Sequence, residues 1–405
     1  MCYLIVFFIL LILAILEMLP QNKINNKILI GLAWGMLVLF AGLRYETGGD
    51  WNLYQNIMNE IPPVSKLLSA EKTRLISLYK LQLGFVFLCS VLKQLGLGVQ
   101  VLFFLVTLFN VTLITKSLSH YTKYVVTALL AYYSVVYLKI EFAMIRQAIA
   151  ASICFFSFRY IQERKMWKYL VLVLIAFSFH ISALIMLPLY FFLNIRLSNK
   201  LLISMLVVGC AIMLFHISWF SQSLLFITEF LGSSFFERAV YYTSDEILGA
   251  DRLISLEFVL NIFLFSVFLC YRKQLDAKKY GNLFLNVFMS GIVIYYYFYE
   301  SITMSYRLRL YFLYAFMVLF PYLIEVFNNY VSSKKIAFMA VLVFCCSAFN
   351  GKIYLNMPPP SILYNPYQNY IVYKTLGKES LGEKRLLEHF EKMKEETEKN
   401  VKDTK

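Results

Sequence analysis

The chain has 405 residues, of which 60% are hydrophobic and 18% aromatic. Its mean hydropathy of +0.66 is more apolar than a water-soluble globule can cover with polar surface. The formal net charge is +14, yet residues 377–405 carry eight basic and eight acidic side chains, so the excess belongs to the apolar body and its loops. That distribution argues against a nucleic-acid partner and for short basic loops held beside anionic lipid headgroups.

About 20 apolar residues cross a bilayer as helix, and these runs are long and unbroken where barrel strands would be short and alternating. The predicted fold class is therefore all-α: a polytopic integral membrane protein of about 12 transmembrane helices, with a large extracytoplasmic loop and a charged C-terminal tail helix. The first run, 2–19, lacks the basic start and small-residue cleavage site of a signal peptide and reads as a retained helix. Further spans are expected at 28–43, 79–95, 99–116, 124–138, 143–160, 169–193, 201–217, 255–271, 283–299, 310–327 and 336–350. Loops rich in lysine and arginine at 23–27, 116–123, 159–168, 196–200, 272–279 and 334–335 should be cytoplasmic. The two longest loops, 44–78 and 218–254, carry acids, aromatics and turn residues and then face outward.

Counting conflicts with this at one point, because two spans separate the outward loop 44–78 from the basic loop 116–123, where an odd number is required. One miscounted span would resolve it. The stretch 169–193 is a second candidate, being overlong and holding His180 and Pro188, which predicts a broken or re-entrant helix. After the membrane body, 1–350, comes an interfacial segment rich in proline and tyrosine at 351–378, then a charged amphipathic tail at 379–405. The seven cysteines lie in apolar segments without metal-ligand spacing, so neither a disulfide nor a metal site is expected.

Four clusters could carry chemistry. Arg44 to Tyr54 reads RYETGGDWNLY, in which two glycines allow a tight turn and Arg44, Glu46 and Asp50 set one cation and two carboxylates close together. Such a loop binds a polar ligand, or else is a solvated turn with Arg44 paired to Asp50 and with Tyr45 and Trp51 as belt aromatics. In MIRQAIAA, Arg146 and Gln147 open an apolar helix; the cation needs an anion or water and the amide suits a sugar hydroxyl, unless Arg146 merely pairs with Glu141. His180, between Ser178 and Ser182, is either a satisfied core imidazole or a proton carrier at a helix break. In ESITMSYRLRLY, Arg307 and Arg309 point about 200° apart on a helix, so one of them, by preference Arg307, would share a site with Glu300; the alternative is interfacial snorkelling of both.

No Walker motif, Asp-x-Asp pair or G-x-S-x-G elbow is present, which favours a lipid-linked substrate over a soluble nucleotide and implies no cofactor. Arg44 followed by Gly48, Asp50 and Tyr54, then Arg146 and Gln147, then Phe179, His180 and Ser182, resembles in order and spacing the EpsG-like group of Wzy-type bacterial polysaccharide polymerases. The Arg307 to Tyr311 region and Asn365, Pro366 and Tyr367 look like its later part, while Gly48 and Gly49 in sequence depart from the family's usual single glycine step. The resemblance implies a multi-pass protein of the bacterial plasma (inner) membrane. Its substrate would be an undecaprenyl-diphosphate-linked oligosaccharide, lengthened into O-antigen, capsule or exopolysaccharide, with a chain-length regulator protein as partner.

Without a metal, arginines are the natural stabilisers of a lipid diphosphate leaving group, and Arg44, Arg146 and Arg307 are the candidates. Asp50 or His180 would take the acceptor proton. Gln147, Tyr54 and Trp51, with Glu46, Arg309 and Glu300, would contact substrate, and loop 218–254 would read the repeat unit. An O-antigen ligase using the same carrier and a lipid-oligosaccharide flippase are the rival readings.

Overall fold

The computed structural model describes residues 2–19, 25–67, 81–223, 226, 255–327, 361–377 and 380–403. The expected span at 336–350, the prolines at 358–360 and most of loop 218–254 lie outside the described residues. Among those described the fold is helical without a strand, with an isolated antiparallel bridge between Arg44 and Asn369. The helices are α1 (Cys2–Met18), α2 (Asn26–Gly42), α3 (Trp51–Glu60), α4 (Leu83–Gln94), α5 (Val99–Tyr121), α6 (Val125–Ala143), α7 (Ile145–Gln162), α8 (Met166–Phe179), α9 (Met186–Phe192) and α10 (Asn199–Leu214). They continue with α11 (Leu256–Cys270), α12 (Arg272–Asp276), α13 (Gly281–Tyr297), α14 (Ile302–Phe327), α15 (Ser361–Tyr364), α16 (Tyr370–Leu376) and α17 (Gly382–Asp403). Three of them, α5, α6 and the Met304–Phe327 part of α14, are long and apolar enough to cross a membrane, and several shorter apolar helices accompany them.

The chain divides into two compact units that interleave in sequence: 1–157, 170–184 and 336–405 form one, and 158–169 and 185–335 the other. In the first, α1 lies against α6 and α2 against α5. The Glu17 carboxylate, at the end of α1, accepts 2.9 Å hydrogen bonds from the Val126 and Thr127 amides and from the Thr127 hydroxyl, satisfying orphan donors at the start of α6. At the opposite end Tyr3 donates to the Tyr364 carbonyl and accepts at its own carbonyl from Tyr133, both at 2.7 Å. The unit therefore has two identifiable ends, one at Glu17 with the α5–α6 turn, the other at Tyr3, Tyr364 and Arg44.

Helix α4 covers part of the crossing expected at 79–95, of which 79 and 80 lie outside the described residues. Twelve residues of helix reach about 18 Å, short of a hydrocarbon core about 30 Å thick. Both its ends meet the α3 region: Phe85 packs on Tyr54 at 5.5 Å, and the Lys93 ammonium donates to the carbonyls of Met58 and Asn59 at 2.9 and 3.0 Å. These contacts place α4 beside α3. Two other boundaries move as well. α6 runs past the predicted end at 138 through a π-helical stretch, Tyr133–Tyr137, and Met144 alone, with φ −145° and ψ 52°, separates it from α7. The overlong stretch 169–193 does break: α8 stops at Phe179, a 3-10 turn covers Ile181–Ile185, and α9 follows.

In the second unit α13 packs on α14 and α10 on α13. Gly209 lets the Tyr297 ring approach so closely that a Cβ there would lie 2.7 Å from it. Tyr296 donates to the Phe258 carbonyl at 2.9 Å, tying α13 to α11.

Candidate functional site

The loop after α2 is held against the chain's late segment by backbone bonds. Tyr45 donates to the Gln368 carbonyl at 2.9 Å, Tyr370 to Leu43 at 2.7 Å, and Gly48 to Leu363 at 2.8 Å. Gly48 has φ +108°, and a Cβ at this position would lie 2.1 Å from the Phe142 carbonyl oxygen. Only glycine fits that approach.

This turn buries Arg44 completely, at 0% exposure. Its guanidinium sits 4.2 Å from the Phe103 ring centroid and 5.1 Å from that of Phe142. Nη1 donates to the Ala41 carbonyl at 3.1 Å, while Nε and Nη2 have no hydrogen-bond partner. No carboxylate among the described residues lies within ion-pair distance of Arg44, whose charge rests on two aromatic faces and more distant acids. Burial draws its proton affinity down, and Glu141 first, then Tyr137 and Asp50, push it back up. Glu141 is itself fully buried at the end of α6, where it accepts from the Tyr132 hydroxyl at 2.9 Å and the Asn110 amide at 3.2 Å.

A second guanidinium stands on the other side of the same aromatic cluster. Arg146, half-buried at the start of α7, donates through Nε to the Tyr54 hydroxyl at 3.2 Å and through Nη1 to Gln82 at 3.4 Å. The Tyr54 ring packs edge-on against Phe103 at 6.2 Å, and Phe103 in turn carries Arg44. Burial raises the Tyr54 phenol, Asp50 raises it further, and Arg146 opposes both, so Tyr54 stays a neutral hydroxyl between a carboxylate and a cation. Asp50 opens α3 and makes no capping bond to it. Trp51 stacks on Phe103 at 6.4 Å, and Gln147 is buried beside Arg146.

Across residues 27–369, from the first turn of α2 to the bridge partner of Arg44, the chain matches the EpsG family. The chain belongs to the EpsG family. This is a family of Wzy-like polysaccharide polymerases, and the apolar helices fit the membrane location it implies. No curated protein and no solved structure gives a significant match.

The remaining sequence candidates of this EpsG-family chain fall elsewhere. His180 sits at the break after α8, half-buried, its Nδ1 2.6 Å from the Ser182 hydroxyl and accepting from the Ser182 amide at 3.3 Å. A Cβ on Gly84 would be 2.4 Å from the Ser178 hydroxyl, so the end of α8 seats two residues from Gln82, the partner of Arg146. Glu46, expected to contact substrate, caps the tail. At φ 45° it accepts from the Leu381 and Gly382 amides at 2.8 and 2.9 Å and from the Ser380 hydroxyl, opening α17. Arg385 completes the clasp by donating to the Glu46 carbonyl at 2.9 Å and to that of Pro366.

Glu300, Arg307 and Arg309 belong to the other unit. The Glu300 carboxylate accepts from the Phe220 and Ser221 amides at 2.8 and 3.0 Å, again a helix cap. Arg309 is buried, bonded to the Glu257 carboxylate and, at 2.9 Å, to Asn261, with Tyr295 beneath it at 4.7 Å. Arg307 is the exposed member of the pair.

Two residues escaped sequence reasoning in their full role. Glu141 was visible as a carboxylate inside an apolar run, but only as a counter-ion for Arg146. Phe103, which links Arg44, Trp51 and Tyr54, carries no sequence signal among 37 phenylalanines.

Proposed function

We propose that this chain is a polysaccharide polymerase that moves a growing glycan from undecaprenyl diphosphate onto a carrier-linked repeat unit at the outer face of the plasma membrane. The observation that carries this reading is Arg44: a fully buried guanidinium with unpartnered Nε and Nη2, within the family-matched region and one aromatic ring away from Tyr54 and Arg146. A buried charge of this kind costs several kcal/mol unless its field is used. A diphosphate leaving group is such a use.

In the reaction the acceptor hydroxyl attacks the anomeric carbon, and the carbon–oxygen bond to the diphosphate breaks with its electron pair moving onto the phosphate oxygen. Arg146, half-buried, supplies the direct contact, while Arg44 adds its positive field from beneath through a low-dielectric layer. Asp50 takes the acceptor proton, with the neutral Tyr54 hydroxyl positioned between it and Arg146. Membrane orientation supports the same face. The Glu17 end of the unit adjoins the basic segments 23–27 and 116–123, so the Arg44 end is extracytoplasmic by the rule that holds lysine and arginine inside.

The test is reconstitution of the purified protein in liposomes with carrier-linked repeat units alone. A ladder of longer chains is expected, and Arg146→Ala should abolish it while the protein stays in the membrane. Substrate crossing the bilayer without ladder formation would mark a flippase. Transfer only onto a different acceptor would mark a ligase.

A further inference from the structure

A polar cleft of about 640 Å³ opens between α3 on one side and α16 and the start of α17 on the other. Its volume is that of a small-ligand site, and its walls differ from those of the apolar grooves elsewhere in this unit. Asn52 and Asn56, one turn apart on α3, present side-chain amides that make no hydrogen bond to other described residues. Trp51 and Gln100 also line the cleft; behind its surface the Trp51 indole Nε1, on a side chain only 8% exposed, and the Gln100 Oε1, whose own Nε2 is spent on the Gly42 carbonyl at 2.9 Å, are buried without a hydrogen-bond partner. One is a donor and the other an acceptor. Lys374 and Glu383 on the facing wall bring one charge of each sign.

Planar amides spaced along a groove beside an indole match vicinal hydroxyls, each of which both donates and accepts, on a sugar ring that can lie against the aromatic face. The absence of net charge from these six lining side chains disfavours a phosphate. We infer that this cleft holds sugars of the glycan chain itself, away from the reacting bond, with α3 and the C-terminal tail as its two walls. The inference rests on the polymerase reading and places a second substrate contact beside the arginine site. The family match ends at residue 369, and the tail wall begins at Tyr370. One wall is thus common to the family's matched region, while the other lies past it and would tune which glycan fits. Asn52 and Asn56 join the site residues on this basis, and the tail becomes part of the enzyme's specificity. The clasp of Glu46 on α17 is what positions that wall.

The experiment uses full-length protein in nanodiscs and, as probe, a lipid-free oligosaccharide of two or three repeat units released by mild acid from the host's own polysaccharide. Binding is followed by saturation-transfer NMR and by tryptophan fluorescence. Wild type should bind, Asn52→Ala/Asn56→Ala should bind about tenfold more weakly through loss of two hydrogen bonds, and Asn56→Trp should block the cleft. In liposomes both variants should give shorter chains. Both positions are half-buried or exposed, so the fold should survive, which circular dichroism checks. Failure of wild type to bind the probe, or unchanged binding in both variants, overturns the inference. A protein that binds the probe through these residues but never forms a ladder instead overturns the polymerase reading and leaves the cleft standing.

Discussion

Arg44 in the first unit and the paired cations of the second are held in opposite ways. In the second, Arg309 is closed by Glu257 and Asn261, Arg272 lies 3.5 Å from Asp276, and Lys278 pairs with Glu325. In the first, Arg44 is more deeply buried than any of these and has a single carbonyl and two aromatic faces. A cation whose donors are filled by neighbouring side chains is a strut, since its geometry and charge are both spent. A cation whose donors are unfilled holds electrostatic energy in reserve, and it is the one to associate with an anionic transition state.

The sharpest way to break this contrast is to remove each arginine in turn. Arg44→Met should lower polymerase turnover by about 10²–10³-fold, the scale of losing one preorganised positive group, while leaving thermal stability unchanged or raised because an uncompensated buried charge is gone. Arg309→Met should do the reverse, costing about 1–3 kcal/mol of stability by stranding Glu257 and Asn261. Turnover assays and thermal melts of both variants decide it. Equal loss of stability in the two would make Arg44 a strut like its counterpart.

Next in size is Gly48→Ala. The methyl would collide with the Phe142 carbonyl at a backbone angle already unfavourable for alanine, so a cost of about 2–4 kcal/mol is expected, with Arg44 displaced as the turn opens. The melt should fall together with activity. The Glu46 clasp is smaller and local. Glu46→Gln replaces a carboxylate that accepts two amides with a neutral group, at about 1–2 kcal/mol, and should speed proteolysis of α17 while leaving the melt of the helical body in place.

What was legible in the sequence follows from range. Apolar runs and the break at His180 are local properties, and nearly every expected helix within the described residues is present. At 79–95 hydropathy marks the apolar helix α4 but carries no sign of its neighbours, which the contacts with Met58 and Asn59 on the α3 side supply. Glu46 reads in the sequence as a loop carboxylate beside glycines, a place where a carboxylate usually meets solvent or substrate. Its actual partners lie more than 330 positions away, at Ser380 to Gly382, beyond any local pattern. The tail, expected as a charged amphipathic helix over 379–405, forms α17, and its contact with Glu46 lies beyond the same local range. The Arg44 to Tyr54 motif and Arg146 are brought together in one unit, whereas Glu300 and Arg309 are held by structural partners that spacing alone could not show.

The finest comparison is between the two candidate bases. His180 spends Nδ1 on the Ser182 amide and hydroxyl, the geometry of a side chain capping a tight turn, whereas Asp50 opens α3 without capping it. Asparagine reproduces the Nδ1 acceptor of histidine but has no second ring nitrogen and does not titrate. If His180 serves the break in α8, His180→Asn should keep turnover within about threefold of wild type, since one hydrogen bond of about 1 kcal/mol is retained. Its pH–rate profile should also keep its shape. Asp50→Asn should remove the acidic limb and most of the rate. Loss of a limb in the histidine variant, with Asp50→Asn still active, would exchange the two roles and move proton transfer to the helix break.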